Sequence, residues 1–418
     1  MVDRFSPHRR IPSWNQQRLR DSTVLVVGRG WVGAFAVWAL GSVGVGEILW
    51  LGEPWPLTER LARWFLADPC PFSGCSVFDY PFEIEYGQEL RWVVGNRRVD
   101  VLIHGNEAPV PSALSALARE RRLPLLVGTA AGGGWYGYRS APHIEPGAQD
   151  PAAAMAVAAL LADTARELRC PLAGGRVARA GPLGLDTPDP SRRGDILLVG
   201  VGGIGVYAAM LAAVLGYPMT IVDCDTVEAS NLNRQGLYTA EDAACGAPKA
   251  LAAKASLERL FPGARISALA CRFDDKTAAE LAGGAPSVIL SAVDNARTRL
   301  SLQELASALG LGVVQGGTDL FLADCFTQEA GGPTLDAQMH GALSRACSTE
   351  AESRQRASCA VEPSYVVPGM MAGALMVHRM VQHLELRRGL PPIHWRAGSL
   401  PTEERTDGNA FTFSRPAS

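Results

Sequence analysis

The chain contains the same sequence pattern twice. Residues 23–33 read TVLVVGRGWVG and residues 195–205 read DILLVGVGGIG, each an apolar, strand-like run that leads into a glycine turn. A duplication with so long a period constrains the fold more than one motif does, because both halves must build the same unit. When the two stretches are aligned, four glycines coincide: Gly28, Gly30, Gly33 and Gly44 with Gly200, Gly202, Gly205 and Gly216.

The apolar runs that follow each glycine turn also correspond. In the same alignment, residues 47–53, 100–109 and 123–133 match residues 219–225, 287–296 and 311–321. Strand-like runs that alternate with helical stretches indicate βαβ units and a mostly parallel sheet. We therefore predict an α/β chain of two doubly wound, Rossmann-like domains in tandem. Each would bind ligands at the carboxyl ends of its strands.

Composition sets the expected domain boundaries. A length of 418 residues allows two or three domains, at about 150 residues per domain. Residues 171–194 are rich in proline, glycine and charge, which predicts a linker. The first domain would then span residues 1–170 and the second residues 195–398, followed by a polar tail at 399–418.

Charge, hydropathy and cysteine usage exclude several classes of protein. The 39 basic and 42 acidic residues give a net charge of −3, which argues against a nucleic-acid partner. No apolar run reaches the roughly 18–20 residues that a membrane span needs. The charged N-terminus does not resemble a signal peptide. Nine scattered cysteines without a CxxC pair fit a reducing, cytoplasmic location.

The second half carries the residues that predict chemistry. Its turn GVGGIG places Gly200, Gly202, Gly203 and Gly205 between a strand and a helix, where backbone N–H groups can approach a phosphate. Taken alone, the turn is typical of any nucleotide-binding Rossmann domain. Asp223 ends the second strand, where an acidic residue is expected to hold a ribose.

A polar stretch follows that an ordinary dehydrogenase does not carry. In DTVEASNLNRQ (225–235), Arg234 can form a bidentate contact to phosphate, and Asn231 and Gln235 can donate hydrogen bonds. Lys249 stands at a predicted helix start and would complete a cationic cradle. The alternative is a solvated loop with a helix cap.

A third group of polar residues ends another apolar run. Asp294 and Asn295 close SAVDN (291–295), and a carboxylate at the end of a strand suits Mg²⁺ held together with triphosphate oxygens. The alternative for Asp294 is a helix N-cap.

Residues 195–384 resemble the ThiF/MoeB-type adenylating enzymes, the family that includes the activating enzymes of ubiquitin-like proteins. The resemblance rests on GVGGIG, DCDTVEASNLNRQ, GAPKA (246–250), SAVDN, GGT (316–318) and SCAVEPSYVVPGMMAGALMVHRMVQHL (358–384). It implies binding of ATP and Mg²⁺ and attachment of AMP to a C-terminal glycine carboxylate. The implied ATP-binding residues are Gly200, Gly202, Gly203, Gly205, Asp223, Asp225, Asn231, Arg234, Gln235, Lys249, Asp294 and Asn295.

The resemblance also implies individual roles. Asp223 would hold the ribose, Arg234, Gln235 and Lys249 the phosphates, and Asp294 the Mg²⁺. Arg234 and Lys249 would be catalytic, because neutralising two anionic reactants and aligning them supplies most of the rate.

One cysteine predicts a step after adenylation. Cys359 precedes an apolar helix at 368–384 within a catalytic-cysteine loop at about 325–367, and autophagy-type activating enzymes are similar in placing a thioester-forming cysteine there. Arg354, Arg356 and a helix N-terminus would lower its pKa. The alternative is a cysteine that the reaction does not need, and Cys347 is the reserve nucleophile.

Two departures from the family pattern also lead to predictions. Many members carry two CxxC pairs that bind zinc, whereas Cys325, Cys347 and Cys359 are isolated, so a structural zinc ion is not expected. In the first half, Trp31 stands opposite Gly203 and Leu51 opposite Asp223. We therefore expect an inactive domain that forms a pseudo-dimer with the active one; the alternative is a site for another nucleotide.

The N-terminal segment resembles the family's opening, in which an arginine reaches ATP on the partner half. Pro7 stands at the usual position, which leaves Arg9 and Arg10 as candidates.

The leading hypothesis is therefore ATP-dependent adenylation of a small ubiquitin-like protein with a C-terminal glycine. A thioester on Cys359 and transfer to a conjugating-enzyme-like acceptor would follow. The first alternative is adenylation alone, of a sulfur-carrier protein or of a peptide in natural-product biosynthesis. The second is a nucleotide-binding scaffold or redox sensor without turnover.

Overall fold

The structure is a computed structural model. It describes residues 4–56, 58–65, 74–82, 87–105, 109–138, 150–173, 175–186, 194–274, 277, 286–348, 362–386 and 390–404.

The first half builds a seven-stranded sheet. Its order is β3-β2-β1-β4-β5-β6-β7; the first five strands are parallel, and β6 and β7 are antiparallel additions at one edge. The strands are β1 (Thr23–Val27), β2 (Glu47–Leu51), β3 (Ser76–Tyr80), β4 (Val101–Gly105), β5 (Leu125–Thr129), β6 (Trp135–Tyr138) and β7 (Gly181–Pro182).

Two helices of the first half, α2 (Trp31–Val43) and α6 (Pro151–Arg169), are rich in apolar residues. Both are buried along almost their whole length, which is why neither shows the one-sided apolar stripe of a surface helix. The helices are α1 (Gln16–Arg20), α2 (Trp31–Val43), α3 (Glu59–Phe65), α4 (Gly87–Val94), α5 (Ser112–Glu120) and α6 (Pro151–Arg169), with 3-10 turns at His8–Arg10 and Ala131–Gly133.

The second half repeats this sheet. Its order is β10-β9-β8-β11-β12-β13-β14-β15, so its five parallel strands follow the same path through the sheet as those of the first half, and β13, β14 and β15 are antiparallel. The strands are β8 (Ile196–Val199), β9 (Met219–Val222), β10 (Ile266–Leu269), β11 (Val288–Ser291), β12 (Gly312–Asp319), β13 (Leu322–Gln328), β14 (Ile393–Arg396) and β15 (Thr402–Glu403).

Two helices of the second half begin where the sequence predicts a helix start. The first follows the glycine turn, and the other starts at Lys249 within GAPKA. The helices are α7 (Gly205–Val214), α8 (Ala240–Cys245), α9 (Lys249–Leu260), α10 (Ala296–Leu309), α11 (Leu335–Gln338), α12 (Ala342–Ser348) and α13 (Val366–Leu386), with a 3-10 turn at Ala229–Asn231.

The two halves share one apolar core. Helix α6 of the first half packs against α2 and also against α13 of the second half, which in turn packs on α7. Buried residues of all four helices belong to a single hydrophobic cluster. The predicted tandem of Rossmann-like sheets is therefore confirmed, and its halves meet through apolar helices.

Two segments that the sequence assigned to connections form strands instead. Strand β7 lies inside the predicted linker at 171–194 and pairs with β6, and β15 lies inside the predicted tail at 399–418 and pairs with β14. Both are two-residue edge strands, too short to show alternating burial in a sequence. The predicted cysteine loop at 325–367 contains most of β13 and all of α11 and α12.

Candidate functional site

The glycine turn of the second half is shaped by close backbone contacts. A Cβ on Gly200 would lie 2.7 Å from the carbonyl oxygen of Ala292, and Gly200 has a positive φ of 89°. A Cβ on Gly205 would lie 2.0 Å from the carbonyl oxygen of Gly200. Both positions therefore require glycine to let β8 turn into α7.

At the other two glycines of the turn a Cβ would meet only side chains, at ordinary van der Waals distance. The nearest atoms to a Cβ on Gly202 and Gly203 would be Gln235 Nε2 at 3.8 Å and Arg234 Cδ at 3.7 Å. Among the described residues, the buried Oε1 of Gln235 has no hydrogen-bond partner. A glycine turn at a helix N-terminus, lined by a guanidinium and an amide, can hold an anion such as a phosphate.

Asp223 lies directly beside this turn. Its carboxylate accepts hydrogen bonds from the backbone N–H groups of Val201 (2.7 Å) and Asp225 (2.8 Å). Burial raises the pKa of Asp223, although the charge of Lys249 and the two amide bonds act in the opposite direction. The two amides fix the orientation of the carboxylate, which leaves it able to accept further hydrogen bonds from a ligand hydroxyl.

Lys249 is buried next to Asp223. Its Nζ lies 3.0 Å from Asp225 Oδ2, and its backbone N–H donates to the Asp225 carbonyl at 2.9 Å. The lysine side chain is 5% exposed and that of Asp225 62%. The first turn of α9 therefore presents a desolvated ammonium group at the edge of the site, where a negative ligand would stabilise it.

Arg234 is held by its own loop. Its Nη1 donates to the Ser230 carbonyl and to Asn233 Oδ1, both at 2.9 Å. The Nδ2 of Asn233 in turn donates to the carbonyl of Ser364 at 2.9 Å, next to the start of α13. Asn233 is fully buried and was missed from the sequence, because its role depends on a partner far along the chain.

Asn231 is buried within its own loop. It is 1% exposed, and its Oδ1 accepts from the Glu228 backbone N–H at 3.0 Å within a reciprocal cap of the 3-10 turn. Its side-chain oxygen therefore organises the loop that carries Arg234.

Asp294 and Asn295, which follow β11, have different roles. Asn295 caps α10, because its Oδ1 accepts from the Thr298 N–H at 2.7 Å. The alternative that Asp294 is the cap is therefore wrong, and Asp294 is exposed. Arg299, which the sequence analysis missed, donates through Nε to the Val293 carbonyl at 2.9 Å. Asp294 offers the oxygen ligands that Mg²⁺ prefers.

The N-terminal segment reaches the same region from the first half. His8 is buried, and its Nδ1 pairs with Gln16 Oε1 at 3.0 Å. Burial lowers the pKa of His8 to about 3; the Gln16 contact acts in the opposite direction, and positive charges that include Arg234 lower it further. The candidate residues Arg9 and Arg10 follow His8 in a 3-10 turn, and both are exposed.

The corresponding turn of the first half is filled by its own side chains. Trp31 is 4% exposed, stacks on Phe35 and meets the edge of Trp55, each with ring centroids 5.6 Å apart. Arg29 lies over the ring of Trp50 at 4.5 Å. In the alignment of the two turns, Trp31 stands where the second half has Gly203.

Other first-half positions lack the polar groups of the second half. Leu51 is fully buried in the apolar core. It pairs with Val27 as Val222 pairs with Val199, so the position of Asp223 is taken by Gly52 and the predicted match of Leu51 with Asp223 is wrong by one residue. Gly52 has no side chain that could accept a hydrogen bond from a ribose. Asn106 and Glu107, in the stretch that replaces SAVDN, lie outside the described residues.

The predicted nucleophile cannot be placed. Cys359, with Arg354 and Arg356, lies outside the described residues. Cys347 is half-buried in α12. Cys325 is buried in β13, where burial raises its pKa to about 12, so it is a poor nucleophile.

Metal-binding clusters and membrane-spanning helices are both absent from the described part of the chain. No group of three or more His, Cys, Asp or Glu residues there could hold a metal ion. No described helix is both long and apolar enough to cross a bilayer.

A family comparison agrees with this geometry. The model of the ThiF family matches residues 179–397, more than half of the 418 residues. The chain belongs to the ThiF family. The matched region contains the glycine turn, Asp223, Arg234, Lys249 and Asp294.

Characterised ThiF-type relatives align over part of the chain. A sulfur carrier protein adenylyltransferase of Thermus thermophilus is 35% identical over 32% of this chain and 49% of its own length. The SAMP-activating enzyme E1 of Haloferax volcanii is 32% identical over 33% and 50%. A molybdopterin-synthase adenylyltransferase of Salmonella typhimurium is 38% identical over 26% and 42%. The chain thus spans about half the length of these relatives.

Solved structures of MccB give a weaker match. The structure of E. coli MccB with ATP aligns with 52% of this chain and 64% of that chain, with a TM-score of 0.42 and 16% identity. A similarity of this size carries no information about the substrate of this ThiF-family chain.

Proposed function

We propose that the second half binds ATP with Mg²⁺ and transfers AMP to the C-terminal carboxylate of a small carrier protein or a peptide. One observation carries the proposal. The carboxylate of Asp223, fixed by two backbone amides, lies beside a glycine turn whose open face is lined by Arg234 and Gln235. A hydroxyl acceptor next to an anion site is the arrangement that a nucleotide requires.

The residue roles follow from position and charge. Asp223 accepts from the ribose hydroxyls, while Arg234, Gln235 and Lys249 bind phosphate oxygens. Mg²⁺, when bound, neutralises triphosphate charge, and the exposed Asp294 is its protein ligand. Arg234 and Lys249 bring the carboxylate and the triphosphate together by offsetting repulsion between two anions.

Asn231 and Asn295 stabilise the turns that carry the proposed ATP ligands. Each uses its side-chain oxygen to cap a helical turn next to a proposed ligand, Asn231 in the Arg234 loop and Asn295 after Asp294. Their contribution is to the positions of those ligands.

The first half is proposed to be an inactive partner. Its glycine turn carries the buried side chains of Arg29 and Trp31, and Gly52 offers no side-chain acceptor where Asp223 stands in the other half. The shared strand order and the common helical core support a pseudo-dimer within one chain.

The relatives favour adenylation without a later thioester. Two of the three aligned relatives are named adenylyltransferases, of a sulfur carrier protein and of molybdopterin synthase. Capture on Cys359 and transfer to a conjugating-enzyme-like acceptor is the second candidate, which the name of the SAMP-activating enzyme E1 supports.

ATP–pyrophosphate exchange tests the proposal. The purified chain is incubated with labelled pyrophosphate, ATP, Mg²⁺ and a panel of small proteins and peptides that end in glycine. We expect exchange with at least one member and at least a 100-fold loss in Arg234→Gln. Failure of the whole panel would favour a nucleotide-binding scaffold.

The Cys359→Ser variant separates the two candidates. Adenylation alone predicts unchanged exchange and no thiol-sensitive adduct in either protein. A covalent adduct that dithiothreitol releases from the parent chain and that Cys359→Ser does not form would favour the thioester candidate.

A further inference from the structure

The segment that carries Arg234 is in direct contact with the first half. Trp38, on α2, is fully buried, and a Cβ on Gly236 would lie 2.0 Å from its Nε1. The indole of a first-half tryptophan therefore lies on the backbone of the residue that follows Gln235. Only glycine at position 236 leaves room for this contact.

A buried tyrosine connects the same segment to the helix after the glycine turn. The hydroxyl of Tyr207, on α7, donates to the Arg234 carbonyl oxygen at 2.9 Å. Burial raises the pKa of Tyr207, and the Gly236 backbone, the charge of Arg234 and Trp38 each lower it in part. These groups surround the hydroxyl, which stays protonated and able to donate at neutral pH.

A second connection fixes the residue before Arg234. Asn233 is bonded to the carbonyl of Ser364, and the adjacent Tyr365 packs on Trp14 of the N-terminal segment with ring centroids 5.6 Å apart. The hydroxyl of Tyr365 also donates to Asp163 on α6 at 3.2 Å. The first half thus contacts the Gly236 end of this short segment directly, and it reaches the Asn233 end through Ser364 and Tyr365.

The precision of this segment matters because its side chains are long. A guanidinium binds phosphate through two parallel N–H groups, and a displacement of about 1 Å is enough to weaken such a contact strongly. Binding geometry is held only when surrounding residues lock the backbone from which the side chain projects. Here two of those surrounding residues are Trp38 and Tyr207.

We infer that Trp38 of the first half and Tyr207 of the second half are positioning residues that together hold Arg234 and Gln235 in register with the glycine turn and so set the affinity for ATP. This inference rests on the proposed function of the second half. It gives the first half a role in nucleotide binding without contact to the nucleotide.

The first test removes one hydroxyl group. Tyr207→Phe keeps the ring and deletes the bond to Arg234. We expect the KM for ATP in pyrophosphate exchange to rise about tenfold, the effect of one lost hydrogen bond, while the KM for the carrier stays unchanged. Loss of folded protein alone would lower the apparent kcat and leave both KM values in place.

The matched control is Tyr136→Phe. Tyr136 is equally buried, and its hydroxyl pairs with Thr164 at 2.7 Å wholly within the first half. We expect its KM for ATP to equal that of the parent. Equal KM values for ATP in Tyr207→Phe and Tyr136→Phe would overturn the inference.

The second test uses the contact with Gly236. Gly236→Ala places a methyl group against the indole, so we expect a large rise in the KM for ATP. Trp38→Leu makes room for that methyl group, and the double variant should bind ATP better than Gly236→Ala alone. Trp50→Leu removes another buried first-half tryptophan, whose Nε1 donates to the Gly28 carbonyl at 2.9 Å, and should not rescue Gly236→Ala. Strictly additive effects would contradict a positioning role.

Failure of the proposed function and failure of the positioning role give different results. If the parent chain supports no exchange with any carrier, the proposed function fails. If the parent is active and Tyr207→Phe keeps the parental KM for ATP, only the positioning role fails.

Discussion

The Nζ of Lys249 lies 3.0 Å from Oδ2 of Asp225 and joins a buried ammonium group to a largely exposed carboxylate. A buried ammonium group has lost the solvation that water supplies, so each anionic group that approaches it stabilises it. Lys249 is therefore suited to gain stability when a negatively charged ligand arrives, as a triphosphate would.

Replacement of Lys249 tests this directly. We expect Lys249→Gln to lower kcat/KM for ATP about 100-fold, because a charge-assisted contact to phosphate is lost. Lys254→Gln is the matched control, since Lys254 lies on the same helix, is 38% exposed and faces Glu258 at 3.7 Å. Equal activities of the two variants in pyrophosphate exchange would remove Lys249 from the site.

Asp223 predicts a pH dependence of nucleotide binding. Its folded-state pKa is raised by burial, so on acidification it gains a proton at a higher pH than an exposed aspartate does. Only the ionised form can accept from two amides and from ribose hydroxyls at once. We therefore expect the KM for ATP to increase as the pH falls through this raised pKa, and Asp223→Asn to show a high KM with little pH dependence. An unchanged profile in Asp223→Asn would show that another group titrates.

We expect a substitution of Asp294 to affect metal binding and a substitution of Asn295 to affect the stability of the fold. Asp294 is exposed, so Asp294→Asn should raise the Mg²⁺ concentration needed for half-maximal exchange and leave the melting temperature unchanged. Asn295 caps α10, so Asn295→Ala should lose about 1 kcal/mol of stability in urea unfolding. The opposite assignment of effects would mean that the metal ligand has been misplaced.

The first half predicts the binding stoichiometry. Because Arg29 and Trp31 fill its glycine turn, we expect calorimetric titration to find one ATP per chain. Lys249→Gln should weaken this single event, and Trp31→Ala should leave its affinity unaltered. Two ATP molecules per chain, or binding that responds to Trp31→Ala, would show that the first half has its own site.

Much of the fold could be predicted from sequence, because the central parallel strands of both sheets are buried apolar runs that end in a turn. The outer parallel strands β3 and β10 are partly exposed. The aligned glycines located β1 and β8 with the helices that follow them, and the matched runs gave the strands beside them. The short edge strands β7 and β15 were missed, since two residues carry no periodicity.

Sequence reasoning found the site residues that are placed by their own position in the chain. It missed those whose roles depend on hydrogen bonds to residues far away in the sequence. Asp223 directly follows β9 and Lys249 begins α9, so sequence position alone brings them to one edge of the sheet, and Arg234 lies in the polar loop between them. Asn233 and Tyr207 act through bonds to residues that only the folded chain brings near. The oxygen of Asn231 turned inward to cap its own turn, a competition between side chain and backbone that the polarity of the stretch does not reveal.

The central claim is that one site, in the second half, adenylates a terminal carboxyl group. The most direct measurement is the intact mass of a glycine-tailed carrier after incubation with the chain, ATP and Mg²⁺, compared with the same carrier amidated at its C-terminus. The account predicts a product heavier by one adenylyl group, formed only from the free carboxylate and formed far more slowly with Lys249→Gln. An adenylyl adduct on the amidated carrier, or none on either carrier while pyrophosphate exchange proceeds, would contradict it.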